Sequence, residues 1–250
     1  MKSAPGSGNA AEKVLMIIEA LPDHGTVSGL ANFTGLPKST VHRILQTLVT
    51  HDFALDLSGG RYVTGPRVLS LAGRVMSQST PLHHVDPILH RLQQETQLTV
   101  HLGLLVGDEA MYVAKTEGPK PYQMPSRLGM SIRLHTTAIG KAILAAMSDT
   151  QIRDFARRAR LERRTPNSIT RQDALVRHLQ EVRAQGYAID NEENETGIWC
   201  LGAAVHDYTG RTIAAVSAST LTFEKAGLDV DVLARQVTAA AAEISTALGG

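Results

Sequence analysis

The stretch TVSGLANFTGLPKSTVHRILQTLVT, residues 26–50, decides how the rest of the chain is read. Leu30, Ala31 and Phe33 give a short helix an apolar side behind Thr26 or Ser28 as N-cap. Thr34-Gly35 ends it where glycine can turn left-handed. Pro37 suits the first position of a second helix, where its missing amide proton costs nothing and its φ is already helical. Val41, Ile44, Leu45 and Leu48 then recur at i, i+3, i+4 and i+7, a stripe that must pack on another helix. The opposite face is Lys38, Ser39, Thr40, His42, Arg43, Gln46 and Thr47, rich in hydrogen-bonding groups and almost free of apolar ones.

A major groove admits one α-helix, and a helix-turn-helix sets the leading part of its second helix against the bases. Here that part is residues 38–43. Arg43 can fork onto a guanine, Ser39 and Thr40 can reach phosphate or base, and Lys38 offers a point charge to the backbone. Ser28, at the start of the first helix, joins the DNA-facing set. A plain helical hairpin with a solvated outer face would show the same local pattern, so the next residues matter. Residues 53–57 and 61–64 are strand-like runs around Ser58-Gly59-Gly60, a hairpin signal directly after the recognition helix. Such a hairpin is a wing, and Arg61 at its tip can enter the minor groove or touch phosphate.

Residues 11–21 supply a third helix, with Val14, Leu15, Ile17, Ile18 and Leu21 expected on its buried side. Residues 66–79 open with proline and read as a helix joining two domains. The expected plan is a disordered start over 1–10, a DNA-binding head over 11–65, a linker helix over 66–80 and a second domain over 81–250.

With 250 residues and 43% apolar content, two modest domains have ample core. The net charge of +1 does not announce a nucleic-acid binder. Any positive field is a local patch of Lys38, Arg43 and Arg61, which implies modest phosphate contact per subunit. A dimer or dimer of dimers reading repeated half-sites on double-stranded operator DNA is therefore expected. One cysteine excludes an intramolecular disulfide and fits a reducing cytosol. No apolar run approaches the roughly 20 residues that span a bilayer, so a cytoplasmic protein without a membrane partner is expected. Nothing in the sequence calls for a metal or cofactor.

Beyond residue 81 the grammar becomes mixed α/β. A helix over 81–96 precedes strands at 98–106 and 110–115. A further strand at 131–134, helices at 136–147, 149–158 and 171–185, strands at 187–190, 198–206 and 211–219, and a closing helix at 228–248 complete the reading. The Asp207-Tyr208-Thr209-Gly210 run marks a hairpin.

This succession resembles the IclR family of bacterial transcription regulators. The likeness covers nearly everything from Ala11 onward. Three stretches carry it: GLPKSTV at 35–41, LHTTAIGKA at 134–142, and residues 190–219. It implies an α+β protein with an N-terminal winged helix-turn-helix domain, a linker helix and a C-terminal GAF-like α/β domain built on an antiparallel sheet. It also implies a small carboxylate or aromatic-acid effector, and dimers that pair into tetramers. By the same resemblance Ala138 and Ile139 donate backbone amides to the effector, while Asp190, Cys200, Ser217 and Ser219 offer side chains. Met124, Leu128, Met130 and Ile132, on the segment feeding that turn, are expected to form the adaptable apolar wall. Departures are His42, where the family often has tyrosine, Ala204 in place of a proline, and Thr220-Leu221-Thr222 in place of Gly-Pro.

Without the resemblance, the start of the 136–147 helix is still a ready anion site, since its amides are exposed and its dipole favours negative charge. Ser217 and Ser219 alternate along one strand and share a face. Thr136 can equally be a simple N-cap, Cys200 a small buried hydrophobe, and Ser217 a satisfied strand residue. Trp199 should point to the sheet face opposite Cys200 and belong to the core.

Two rival functions use the same residues. Cys200 with His206 or His101 and Asp190 has the composition of a cysteine hydrolase. Against it, the cysteine lies inside a strand, with no glycine-rich elbow or helix start to activate it. The other rival is a scaffold whose winged helix binds protein rather than DNA. Gly140-Lys141 lacks the first glycine and the Ser/Thr of a phosphate loop.

Overall fold

The computed structural model describes residues 9–57, 59–78 and 80–248, with backbone only for 72, 73, 75–78 and 80–83. Residues 1–8 of the expected disordered start, with Ser58 and Ser79, lie outside them. The chain divides into two units, 1–80 and 81–250.

In the first unit, Asn9 and Glu12 form a capping box that starts α1, Ala10–Ala20. Thr26 rather than Ser28 caps α2, Val27–Thr34, its Oγ1 accepting the Gly29 amide at 3.0 Å. Gly35 ends that helix at φ 72°, as a left-handed C-cap. Pro37 sits one place earlier than expected, as the N-cap of α3, Lys38–Thr50, with ψ 140°. Ile17, Leu21, Leu30, Val41, Ile44, Leu45 and Leu48 form the three-helix core. Burying each such side chain contributes about 1.5–3 kcal/mol.

Two expected core residues are outside it. Leu15 is 58% exposed and Phe33 is 65% exposed. Leu30, Ala31 and Thr34 take the inward face of α2 and leave Phe33 off it, so its ring lies against His24 with centroids 4.4 Å apart. Strands β1, Ala54–Leu57, and β2, Arg61–Thr64, pair antiparallel as the wing, and Thr26 bridges to Arg61. Tyr62 anchors the wing in the core. Helix α4, Pro66–Gln78, follows, leaving Leu69 and Leu71 exposed.

Helix α5, Thr80–Thr96, leads into the second unit, which is built on one six-stranded antiparallel sheet. Its strands are β3 Thr99–Val106, β4 Glu109–Thr116, β5 Ser131–Arg133, β6 Ala188–Asn191, β7 Ile198–His206 and β8 Thr212–Leu221. They lie in the order β5-β4-β3-β8-β7-β6. One face packs on α5 and the closing helix α9, Val230–Ala247, and contains Trp199. The other packs on α6 Ala138–Ala145, α7 Asp149–Arg158 and α8 Gln172–Gln185. β8 runs two residues past the expected end and leads into a 3-10 turn, Thr222–Gly227.

Glycines set how closely α6 lies on the sheet. A Cβ on Gly202 would stand 3.1 Å from the Ala138 carbonyl carbon, and one on Gly103 2.9 Å from Ile139 Cγ2. At Gly140 it would reach 2.3 Å from Leu134 Cα. The helix therefore rests almost on the sheet backbone, with its N-terminus over β7 and β8.

Candidate functional sites in the head and the sheet domain

On the recognition helix, Lys38, Ser39, His42, Arg43, Gln46 and Thr47 are exposed and Thr40 is half-buried. The packing of Val41, Ile44, Leu45 and Leu48 inward turns this face out. Among the described residues, no protein group hydrogen-bonds or ion-pairs with the side chains of Lys38, Ser39, His42 or Arg43. Two of the expected donors have internal partners: Gln46 Nε2 donates to the Tyr62 hydroxyl at 3.4 Å, and Thr47 Oγ1 donates to the Arg43 carbonyl at 3.1 Å. The first tie joins recognition helix to wing. Ser28 and Arg61 are exposed.

In the second unit a cavity opens between the sheet, the start of α6 and the 117–130 loop. Its open space is about 500 Å³, counted to the mouth. Thr137, not Thr136, caps α6: its Oγ1 accepts the Gly140 amide at 3.0 Å and donates to the Arg133 carbonyl at 2.8 Å. Thr136 instead donates to Asn194 Oδ1 at 3.1 Å. The amides of Ala138 and Ile139, the first two helical residues, have no acceptor within the helix. Both residues line the cavity.

The cavity also gathers Met124, Met130, Asp190, Cys200, Ser217 and Ser219. Register explains this: Asp190 pairs with Cys200, and Cys200 with Ser219, so one row crosses three strands. Two expected wall residues fall elsewhere. Ile132 is buried in the α6–α8 core, because β5 turns it inward, and Leu128 is 57% exposed away from the cavity.

The sequence reading missed part of the lining. His101, fully buried on β3, places Nε2 2.7 Å from Ser126 Oγ and Nδ1 3.4 Å from Ser219 Oγ. Tyr112 packs on its ring at 4.8 Å. Lys115, beside His101 on β4, donates to the carbonyls of Met124 and Ser126 at 2.9 and 2.8 Å and so fixes the covering loop. The available signal was alternation: His101 stands opposite Ser217 in the ladder, so its side chain shares that face. Ser126, Asn194 and Glu195 sit on loops and had no periodic signal.

Burial governs the titration of these groups. Asp190 is raised to about 7 by burial, against the opposing pull of the Glu193 amide. Burial also raises the Cys200 thiol and the Tyr112 phenol. His101 is pushed down to about 3, by burial and then by the Lys115 charge, so its imidazole is neutral. Lys141, fully buried, pairs with Glu193 and donates to the Ile189 carbonyl. It acts as a clamp between α6 and the loop after β6, which places Asp190.

These features do not make a hydrolase. A nucleophilic cysteine needs a lowered pKa, and here burial raises it. His206 lies beside Thr212 Oγ1, at 3.2 Å, and the His101 ring nitrogens face Ser126 and Ser219.

A winged helix with an outward polar recognition face, joined to a sheet domain with a helix-capped cavity, defines a one-component transcriptional regulator. The chain matches the "IclR helix-turn-helix domain" over residues 10–55 and the "Bacterial transcriptional regulator IclR C-terminal" domain over residues 74–246. It belongs to the IclR family of DNA-binding transcriptional regulators, which are not enzymes. It is 31% identical to the HTH-type transcriptional regulator XynR of Escherichia coli over 242 residues, covering 95% of this chain and 96% of that one. Among solved structures, IclR of Thermotoga maritima superposes with a TM-score of 0.79 at 32% identity, covering 97% and 99% of the two chains. An IclR homolog from Microbacterium hydrocarbonoxydans complexed with 4-hydroxybenzoate shares the fold, with a TM-score of 0.82 at 22% identity and coverage of 96% and 99%. No helix among the described residues is long and apolar enough to cross a membrane.

Proposed function

We propose that this regulator reads its operator through Lys38, Ser39, Thr40, His42 and Arg43, with Ser28, Gln46, Thr47 and Arg61 flanking. A small organic acid held in the sheet-domain cavity modulates that binding. One observation carries the effector reading: Ala138 and Ile139, whose amides have no acceptor within the helix, line the same cavity as Asp190, Cys200, Ser217 and Ser219. Helix N-terminal amides and the macrodipole favour a carboxylate there. Met124 and Met130 provide an adjustable apolar wall. The homolog crystallised with 4-hydroxybenzoate makes an aromatic acid a reasonable first member of the class.

The regulator works as a homodimer, paired into a dimer of dimers, because three cations per head are few for tight duplex binding. Exposed Leu69 and Leu71 on α4 offer apolar surface for such pairing. The effector changes operator affinity by binding two arrangements of the paired heads unequally.

Replacing Arg43 by alanine should weaken binding to the DNA upstream of its own gene by about 1–3 kcal/mol while leaving the melting temperature unchanged. Gel-shift titration against random duplex measures this. An unaltered operator affinity in the variant would remove Arg43 from the reading face.

A further inference from the structure

Taken with the reading of this cavity as the effector site, the charge inside it narrows the ligand. Its described lining includes two carboxylates, Asp190 and Glu195, and no lysine or arginine. Asp190 is 3% exposed, and its Oδ1 accepts the amides of Glu193 at 2.7 Å and Asn194 at 3.3 Å. The Lys141 ammonium is committed to Glu193 and the Ile189 carbonyl. Lys115 is committed to Glu117 and to the carbonyls of Met124 and Ser126.

Asp190 is also close to the expected docking point. It pairs with Cys200, while Gly202, two residues along the same face, lies beneath Ala138. Two residues along a strand are roughly 7 Å between Cα atoms, so the row that holds Asp190 is the neighbour of the row beneath Ala138. A carboxylate on the Ala138 and Ile139 amides thus shares one cavity with the buried Asp190. Two like charges at such range, without a cation between them, are costly in low dielectric.

We propose that the cavity takes a monocarboxylate together with one proton, shared between the ligand and Asp190, and rejects dicarboxylates, whose second charge meets no cation. The ligand arrives as its anion and the proton comes from solvent, so one anion and one proton enter wherever Asp190 was ionised. Groups facing Asp190 are Lys141 from α6, Glu193 and Glu195 from the loop after β6, Cys200 from β7, Tyr112 from β4 and His101 from β3. Burial holds Cys200 and Tyr112 protonated above neutrality, His101 stays neutral down to about 3, and Glu193 is paired with Lys141. Burial raises Glu193 as well, against the opposing Lys141 charge and hydrogen bond. Asp190, at about 7, changes state between pH 6 and pH 8, and Asp190→Asn separates its titration from that of Glu193.

The full-length chain is titrated calorimetrically, and its melting followed, with acetate, butyrate and benzoate, and with succinate and terephthalate as dianionic counterparts. Monocarboxylates should bind about tenfold more weakly at pH 8 than at pH 6, following the protonated fraction of a group with a pKa of about 7. Dicarboxylates should leave the melting temperature unmoved. Asp190→Asn keeps an oxygen for the Glu193 and Asn194 amides and carries a permanent donor, so its monocarboxylate affinity should be equal at the two pH values. Equal wild-type affinity at both pH values, or terephthalate binding as well as benzoate, overturns the proposal. If no acid binds at either pH, the cavity is not an acid site, and the underlying reading falls with the proposal.

Discussion

At the scale of single residues, two buried titratable groups pull the pH dependence of stability in opposite directions. Asp190 is about 7 in the folded chain and about 3.9 unfolded, so it holds a proton when folded that the unfolded chain releases. Its contribution is fully present below about pH 4 and is lost as pH rises toward 7. His101 is about 3 folded and about 6.5 unfolded, so its contribution is present above pH 6.5 and is lost as pH falls toward 3. The wild-type profile should therefore be flatter than that of either single variant. Urea unfolding of Asp190→Asn should show the wild type gaining stability on the variant as pH falls from 7 to 4; a constant difference would mean that Asp190 titrates normally. Lys141 provides a sharper case. Lys141→Met leaves Glu193 buried without its cation and should cost about 3–5 kcal/mol, and adding Glu193→Gln should recover part of it.

Elements were legible where periodicity decided them. The inward stripe of α3 could be read residue by residue, and strand alternation put Trp199 on the core side opposite Cys200. Shorter elements gave less. The eight-residue α2 cannot bury every apolar residue, which is why Phe33 is exposed. Cap choice among adjacent threonines was also unreadable: Thr137 wins over Thr136 because its hydroxyl meets both Gly140 and the Arg133 carbonyl. The cavity's roof came from loops without a period, so Ser126, Asn194 and Glu195 in its lining gave no signal, while Leu128 and Ile132 lie outside that lining. The seat of α6 gives an element-scale prediction. Gly140→Ala drives a methyl into Leu134 backbone and should cost about 3 kcal/mol, the upper part of the range for overpacking. Full stability of that variant by denaturant titration would mean that the helix can lift at little cost.

Across the whole molecule, charge is nearly balanced, with a net of +1, so DNA binding depends on a small positive patch rather than on a general field. With Lys38, Arg43 and Arg61 as the phosphate-side cations of each head, the plot of log affinity against log salt should have a slope of about −3 per head, and about −6 for two heads engaged together. Fluorescence anisotropy across a salt series measures it; a slope near zero would exclude these contacts. Sedimentation in the same buffers counts the heads per complex. The sparse cations point toward repeated half-sites, but a count of copies has no periodic signal in one sequence; exposed Leu69 and Leu71 are the apolar positions on α4 at which substitution would test the proposed pairing.

The bare backbone contact beneath α6 also limits how relatives of this regulator can diverge. A Cβ at position 202 would press on the Ala138 backbone at 3.1 Å and one at 103 on the Ile139 side chain at 2.9 Å, so the floor of the chamber is the harder part to reshape. Changes in the shape of the cavity should come more readily in its roof, at Met124, Ser126, Met130, Asn194 and Glu195, where substitutions meet loop rather than sheet.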